Sequence, residues 1–299
     1  MKLVTVLMST YNGEEYINTQ IESLVSQRDV DIKILVRDDG STDNTISILK
    51  EWQSKGVLEF YSGSNIRPAK SFMELVYNAP ESNYYAFCDQ DDVWEEDKLI
   101  NAVNMLSEKD NNKPSLYFSR AKLVDKNLNY LGYSDSNPAY SLPGILLGSH
   151  AIGCTMVFNR QLLNLLRENP PRSNILHDAW TIRVCLAVDG NVVFDKNSYI
   201  NYRQHGNNVV GASKSNIKRY LRIINNSIKN KNQKSRSAQE LLEVLSQHMS
   251  QESVELVYLA ANYKDSIQNR ISLAMNKKFR RNNYVDNFLF IIAVLLGYF

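Results

Sequence analysis

The sequence of 299 residues has only three cysteines, Cys88, Cys154 and Cys185, widely spaced and without a C-x-x-C pair. That argues against a disulfide framework or a cysteine zinc site and suits a reducing compartment. The chain end "NFLFIIAVLLGYF" is apolar for about a dozen residues, short of the roughly 20 that span a bilayer. The opening "MKLVTVLMSTYNG" is apolar for only a few residues before a turn signal. That is too short for the apolar region of an export signal, so it reads as a first β-strand and no export is expected. No G-x-G-x-x-G follows that strand. The turn is "STYNGEEYI", with one glycine, which argues against a nicotinamide or flavin cofactor. Internal repeats are absent. Basic residues are not interleaved with aromatics, so a stacking platform for nucleic acid is not expected.

The formal net charge is only +2 but unevenly spread. Residues 212–299 carry 14 Lys plus Arg against 6 Asp plus Glu, and the rest carry 20 against 26. An acidic front and a basic back suggest two parts with different partners, divided at 1–211 and 212–299. Basic helical patterns ending in an apolar segment suit an interfacial membrane anchor. The same segment could instead fold onto the protein's own core or form a homodimer contact.

The front half alternates strand and helix signals. Leu3 to Met8, Ile32 to Val36, Leu58 to Tyr61 and Tyr84 to Cys88 are short apolar runs. Between and after them come helical spacings: Ile17, Ile21 and Leu24; then Ile46, Leu49 and Trp52, with Ser41, Thr42 and Asp43 as candidate caps; then Ser71 to Tyr77; then Leu99, Val103 and Leu106. Repeated β-α-β units predict an α/β fold with a Rossmann-like, mostly parallel sheet flanked by helices. Beyond Leu116, "AIGCTMVFN" reads as a strand, "HDAWTIRVCLAV" as a helix, and "NVVF" and "SYINYRQHG" as two more strands. From Ser213 only helical patterns remain.

Ligands in parallel sheets bind beyond the carboxyl ends of the strands. Four polar clusters follow the first four strands: "STYN" (9–12), "RDDGS" (37–41), "GSNIRPAK" (63–70) and "DQDD" (89–92). All four should face one crevice. Asp38 or Asp39 could accept a hydrogen bond from a base or ribose. Asp89 and Asp91, at i and i+2 after a strand, can reach one small cation, and hard oxygens suit Mg²⁺ or Mn²⁺. Such an ion commonly binds substrate phosphates, so a diphosphate is implied. Taken alone, the same aspartates serve as an Asx-turn ahead of a helix, the role expected for Asp92.

In order, "VLMSTYNGEEYINTQIESLVSQ", "ILVRDDGSTDNT" and "FCDQDDVWEEDKL" resemble the family 2 glycosyltransferases of GT-A fold. "HDAWTIRV" and "YRQHGNNVVGA" are similar to the bacterial rhamnosyltransferase-like branch, which builds polysaccharides. The resemblance covers about residues 1–212. It implies that Thr10 and Tyr11 line the nucleotide base, with Tyr11 stacking. Asp38 would bind the uracil or thymine, and Asp39 would support that loop. Asp89 would contact ribose or the metal shell, and Asp91 would be the main metal ligand. Asp178 would be the catalytic base. His205 could bind the diphosphate or complete the metal shell, with Arg203 helping to neutralise phosphate. A surface-loop histidine remains the alternative for His205. Much of the family has an acidic residue where this chain has His177.

The resemblance implies an inverting, metal-dependent transfer of L-rhamnose from dTDP-L-rhamnose. The acceptor would be a growing polysaccharide or lipid-linked glycan at the cytoplasmic face of the membrane. Two alternatives stand beside it: a UDP-hexose or UDP-N-acetylhexosamine donor with the same machinery, and a non-catalytic scaffold subunit of a polysaccharide assembly complex.

Overall fold

A computed structural model describes residues 1–110, 112–136, 138, 140–148, 151–204, 232–280 and 284–299. The chain divides into two compact units. The boundary expected at 211/212 falls outside the described residues.

The first unit is built on one mixed sheet. Its first four strands are β1 (Leu3–Thr10), β2 (Asp31–Asp38), β3 (Glu59–Ser62) and β4 (Tyr84–Asp89). They lie in the order β3-β2-β1-β4, all parallel. Their crossovers are α1 (Ile17–Val25), α2 (Thr45–Ser54) and α3 (Arg67–Asn78). Both faces of β1 are covered, and Val4, Val6, Leu7 and Met8 are fully buried. That explains a run of apolar residues in place of alternation.

Beyond β4 the sheet turns mixed. The chain enters a two-residue strand β5 (Val93–Trp94) before α4 (Lys98–Ser107). Strands β6 (Ser115–Val124), β7 (Tyr130–Tyr133), β8 (Val157–Asn159) and β9 (Asn191–Arg203) complete it. β8 is antiparallel to β4 and β6, β6 is parallel to β9, and β9 is antiparallel to β5. The two strands expected over 191–203 are one strand, bent by register shifts against Ser119–Lys122. Of "AIGCTMVFN", only the end is strand, because Gly153–Thr155 form a tight helical turn beside β4.

Helix α3 starts four residues earlier than the sequence spacing predicts. Pro68 at its start leaves one fewer amide to satisfy, and the Asp39 carboxylate accepts the N–H groups of Ile66 and Arg67, both at 2.9 Å. Further helices are α5 (Leu142–Leu146), α6 (Arg160–Glu168) and α7 (His177–Ala187). As expected, Trp180, Val184 and Ala187 of α7 are buried.

The second unit contains α5, α8 (Gln233–Leu245), α9 (Gln251–Ala261), α10 (Ile267–Met275) and α11 (Tyr284–Leu295). Its core holds Leu241, Leu245, Val257, Tyr263, Leu273, Phe290 and Val294. Phe299 is tied in twice: its N–H donates to the Tyr263 hydroxyl (3.1 Å), and that hydroxyl donates to the Phe299 carbonyl (3.2 Å). One face of α11 thus packs inward. Among the described residues no helix is long and apolar enough to cross a membrane.

Candidate active site

Register fixes the starting geometry. Thr10 pairs with Asp38, Ser9 with both Arg37 and Asp89, and Asp38 with Ser62. The ends of β3, β2, β1 and β4 therefore form one continuous edge, and the loops leaving them are laced together.

Asp38 is fully buried. Its Oδ1 accepts from the hydroxyls of Thr10 (3.1 Å) and Ser41 (2.5 Å). Its Oδ2 accepts from the N–H groups of Gly40 and Ser41 and from the Ser62 hydroxyl. With both oxygens engaged, Asp38 ties the end of β1, the 40–41 turn and the end of β3 together. Gly40 has φ +83°, a conformation that side-chain-bearing residues rarely adopt. Asp39 pairs with the buried Arg37 and starts α3. Arg37 also donates to Glu74 (2.6 Å), Ser71 (3.2 Å) and the Ser64 carbonyl (3.1 Å), so one guanidinium braces β2, α3 and the loop after β3.

The Tyr11 side chain stays largely exposed while its backbone is clamped. Gln90 accepts the Tyr11 N–H (2.8 Å) and donates to its carbonyl (2.9 Å). Gly13 allows this, because a Cβ there would lie 2.2 Å from Gln90 Oε1. Asn12, Gly13 and Glu14 each donate an N–H to a side chain of the Ser41–Thr45 stretch.

The carboxylates gather at the end of β4. Oxygens of Asp89 and Asp92 and the sulfur of Cys154 lie within 4.8 Å of one another. Asp91 and Asp178 act electrostatically on Asp89; burial and these two charges push the Asp89 carboxyl up to about 7. Asp92 rises well above its ordinary value through burial and the Asp89 and Asp91 charges. Asp92 does not start a helix, contrary to the sequence expectation. β5 intervenes, α4 begins only at Lys98, and Asp92 is held inside the fold. Its Oδ1 accepts the Arg203 N–H (3.0 Å), while its Oδ2 has no hydrogen-bond partner among the described residues.

An orphaned, buried carboxylate oxygen beside two further carboxylates fits a small divalent cation of hard character. Asp89 and Asp92 could hold one; Asp91, the expected main ligand, is not among the atoms that lie within 4.8 Å of one another and acts on them through its charge. The Cys154 thiol is pushed well above its ordinary value, by burial first and then by Asp92 and Asp89. It therefore stays protonated, and the donor set is oxygen-rich. His205, the other expected ligand, lies outside the described residues.

Two cations approach this cluster. Arg203 ends β9, and its guanidinium donates to the carbonyls of Asp91 (2.7 Å) and Lys126 and lies 4.6 Å from the Tyr16 ring centre. It is committed to holding the "DQDD" loop. The fully buried Lys98 ammonium lies 3.5 Å from the Trp94 ring centre, and burial lowers its pKa to about 8. Sequence reading missed Lys98, the clamp of Gln90 on Tyr11 and the brace of Arg37.

Asp178 stands half-buried in the first turn of α7, accepting the Ala179 N–H (2.6 Å). Beside it His177 is buried, stacked on Phe72 (3.8 Å between ring centres) and edge-on to Phe87 (4.6 Å). Neither ring nitrogen has a hydrogen-bond partner among the described residues. Burial lowers the imidazole pKa to about 4 against the opposing charge of Asp178, so the ring is neutral near pH 7. A Cβ on Gly153 would lie 2.8 Å from His177 Nε2 and 3.5 Å from Asp178 Oδ2. Glycine there lets the turn after residue 152 pass directly beneath the carboxylate.

The family described as Glycosyl transferase family 2 matches residues 5–166. The dTDP-rhamnosyl transferase RfbG of Shigella flexneri is 32% identical over 72% of this chain and 78% of its own. The Escherichia coli UDP-Glc:alpha-D-GlcNAc-diphosphoundecaprenol beta-1,3-glucosyltransferase WfaP is 25% identical over 52% of this chain and 60% of its own. Among solved structures, S. aureus TarS 1–349 in complex with UDP-GlcNAc aligns with TM-score 0.57 at 18% identity, over 100% of this chain and 91% of that one. At that identity the likeness shows the fold alone.

Proposed function

The chain belongs to glycosyl transferase family 2 and is an inverting glycosyltransferase; from this premise we propose a metal-dependent transfer of L-rhamnose from dTDP-L-rhamnose to a growing polysaccharide or lipid-linked glycan. The carrying observation is the cluster of Asp89 and Asp92 at the end of β4, on which the charges of Asp91 and, from a segment far along the chain, Asp178 act. The similarity to RfbG over most of both chains supports the donor.

In this reading the exposed Tyr11 ring stacks on the nucleotide base, while Thr10, Asp38 and Asp39 hold the loops that shape its slot. Asp89 and Asp91 would hold Mn²⁺ or Mg²⁺ beside Asp92, and the ion would supply positive charge against that of the diphosphate leaving group. Asp178 accepts the proton of the acceptor hydroxyl as that oxygen attacks the anomeric carbon. The carbon–oxygen bond to the diphosphate breaks, and the bonding pair leaves with it. One in-line attack inverts the anomeric centre, and no covalent intermediate on the protein is needed. Arg203 keeps the loop after β4 in place and brings positive charge to the same edge. The neutral, sandwiched His177 fixes the start of α7 without competing for the proton. In this reading the enzyme meets an acceptor carried on lipid from the cytoplasm, peripheral at the inner face of a bacterial membrane, through its basic C-terminal region.

Turnover of dTDP-L-rhamnose, UDP-glucose and UDP-GlcNAc is to be compared with and without Mn²⁺, followed by NMR of the product linkage. Turnover of dTDP-rhamnose that chelation stops is expected. Turnover of a UDP-sugar alone would select the second reading, a UDP-hexose or UDP-N-acetylhexosamine donor, which WfaP favours by its own donor.

A further inference from the structure

We propose that α10 and α11 form an interfacial hairpin that docks on an anionic lipid surface. The inference rests on, and deepens, the membrane placement inferred above. The two helices pack on each other, with the Arg270 guanidinium donating to the Leu295 carbonyl (3.3 Å). Each nonetheless leaves an apolar stripe in solvent at helical spacing. On α10 these are Ile267 (75% exposed), Ile271 (49%) and Met275 (65%). On α11 and its last turn they are Phe288 (62%), Ile292 (37%) and Leu296 (63%). Positions i, i+4 and i+8 lie along one side of a helix, so these are two continuous stripes rather than scattered side chains. The inward face of α11 is already occupied by Phe290 and Val294, so the exposed stripe has no role in the unit's own core.

The occupant follows from charge. Among its described residues, 276–280, the connection between the two helices carries three cations and no acid. Lys277 is exposed, Lys278 reaches Glu252, and Arg280 donates to the carbonyls of Ala274, Met275 and Phe279. A second copy meeting this face about a two-fold axis would bring the same cations against themselves. An anionic headgroup layer meets them with opposite charge while its acyl boundary takes up the stripes. Helix α11, with 12 residues, is about 18 Å long, enough to lie in the interface and too short to cross it.

The test is co-sedimentation of the full chain with vesicles of phosphatidylglycerol and phosphatidylethanolamine, against vesicles of phosphatidylcholine alone. Binding to the anionic vesicles only, weakened by salt, is expected. The variant I271Q/F288Q/L296Q should lower partition at least about tenfold, and Lys277→Glu several-fold, with nucleotide binding and melting temperature unchanged. An unmodified chain that stays in the supernatant with anionic vesicles overturns the proposal. So does a chain that is dimeric in solution and made monomeric by the triple variant. Turnover measured in detergent separates the two readings. Turnover without vesicle binding sinks the docking surface alone, and vesicle binding without turnover sinks the transfer reading alone.

Discussion

The two units depart from the usual inside–outside partition in opposite directions. At the carboxyl edge of the sheet, charged groups are buried: Arg37, Asp38, Asp39, Asp92 and Lys98 have almost no contact with solvent. On α10 and α11, large apolar side chains are left in water. Buried charge is costly unless paired, and exposed apolar surface forgoes the stabilisation that burial would bring. The sheet edge offsets its cost with a dense net of hydrogen bonds from one loop to the next. Asp92 Oδ2 and the Lys98 ammonium are left outside that net. The helical pair has no such compensation within its own unit. One departure is answered from inside the fold, and in the proposed reading a small cation would complete it. The other calls for a surface.

The largest expected effect lies at the half-buried Asp178 of the same edge. Asp178→Asn should lower kcat about a thousandfold while leaving donor affinity nearly unchanged, because the amide keeps the shape and cannot take a proton. Steady-state rates with a donor titration check this. Equal losses in kcat and in donor binding would place Asp178 in the donor slot. Asp91→Asn should instead raise the metal concentration needed for half-activity.

Next comes the lacing itself. Gly13→Ala would drive its Cβ into Gln90 Oε1 and break both hydrogen bonds to Tyr11. A donor KM raised about tenfold is expected, roughly the worth of these two bonds. Gln90→Ala should do the same, and the double variant should be no worse than either single one. Additive losses would show that Gly13 acts by another route.

These residues also show what a sequence can disclose. Thr10, Asp38 and Asp89 could be grouped in advance because β-α-β order puts strand ends on one edge whatever the side chains do. Asp178 could be joined to them only through the resemblance, since nothing in its spacing says which way α7 faces. Arg37 and Gln90 lay within clusters that strand order grouped, but the bonds they make were not legible, and Lys98 was not legible as part of the site at all. Their roles depend on how far a side chain reaches across a loop, which periodicity does not encode. Asp92 misled because an acidic residue after a strand commonly starts a helix. The two residues of β5 divert the chain first, and a strand so short leaves almost no pattern.

His177 gives a third, smaller contrast within the buried edge. Its ordinary pKa is 6.5 and burial lowers it to about 4. Between these values the unfolded chain binds a proton that the folded chain refuses, so stability is lost as pH falls from 6.5 towards 4. The loss from this one group is about 2 kcal/mol between pH 7 and pH 5. His177→Phe keeps the stack on Phe72 and the edge-on contact with Phe87 and removes the proton. Urea unfolding at both pH values should show the variant losing less stability on acidification than the parent, by about that amount. An identical pH dependence would mean that the imidazole finds a partner in solution.

The smallest effect is expected on the exposed side, and there a near-zero result carries the information. Phe288 and Phe290 are two residues apart on α11, one 62% exposed and the other 5%. Phe290→Ala should cost about 3 kcal/mol, the usual loss for a buried aromatic. Phe288→Gln should leave stability within about 0.5 kcal/mol, because water already surrounds most of the ring. Thermal melts of the two variants in lipid-free buffer measure the difference. If Phe288→Gln also cost well over 1 kcal/mol, and the cost fell on dilution, the face would be covered by another copy of the chain. Stability independent of concentration would leave the stripe open in solution, available to a partner that is met only at a surface.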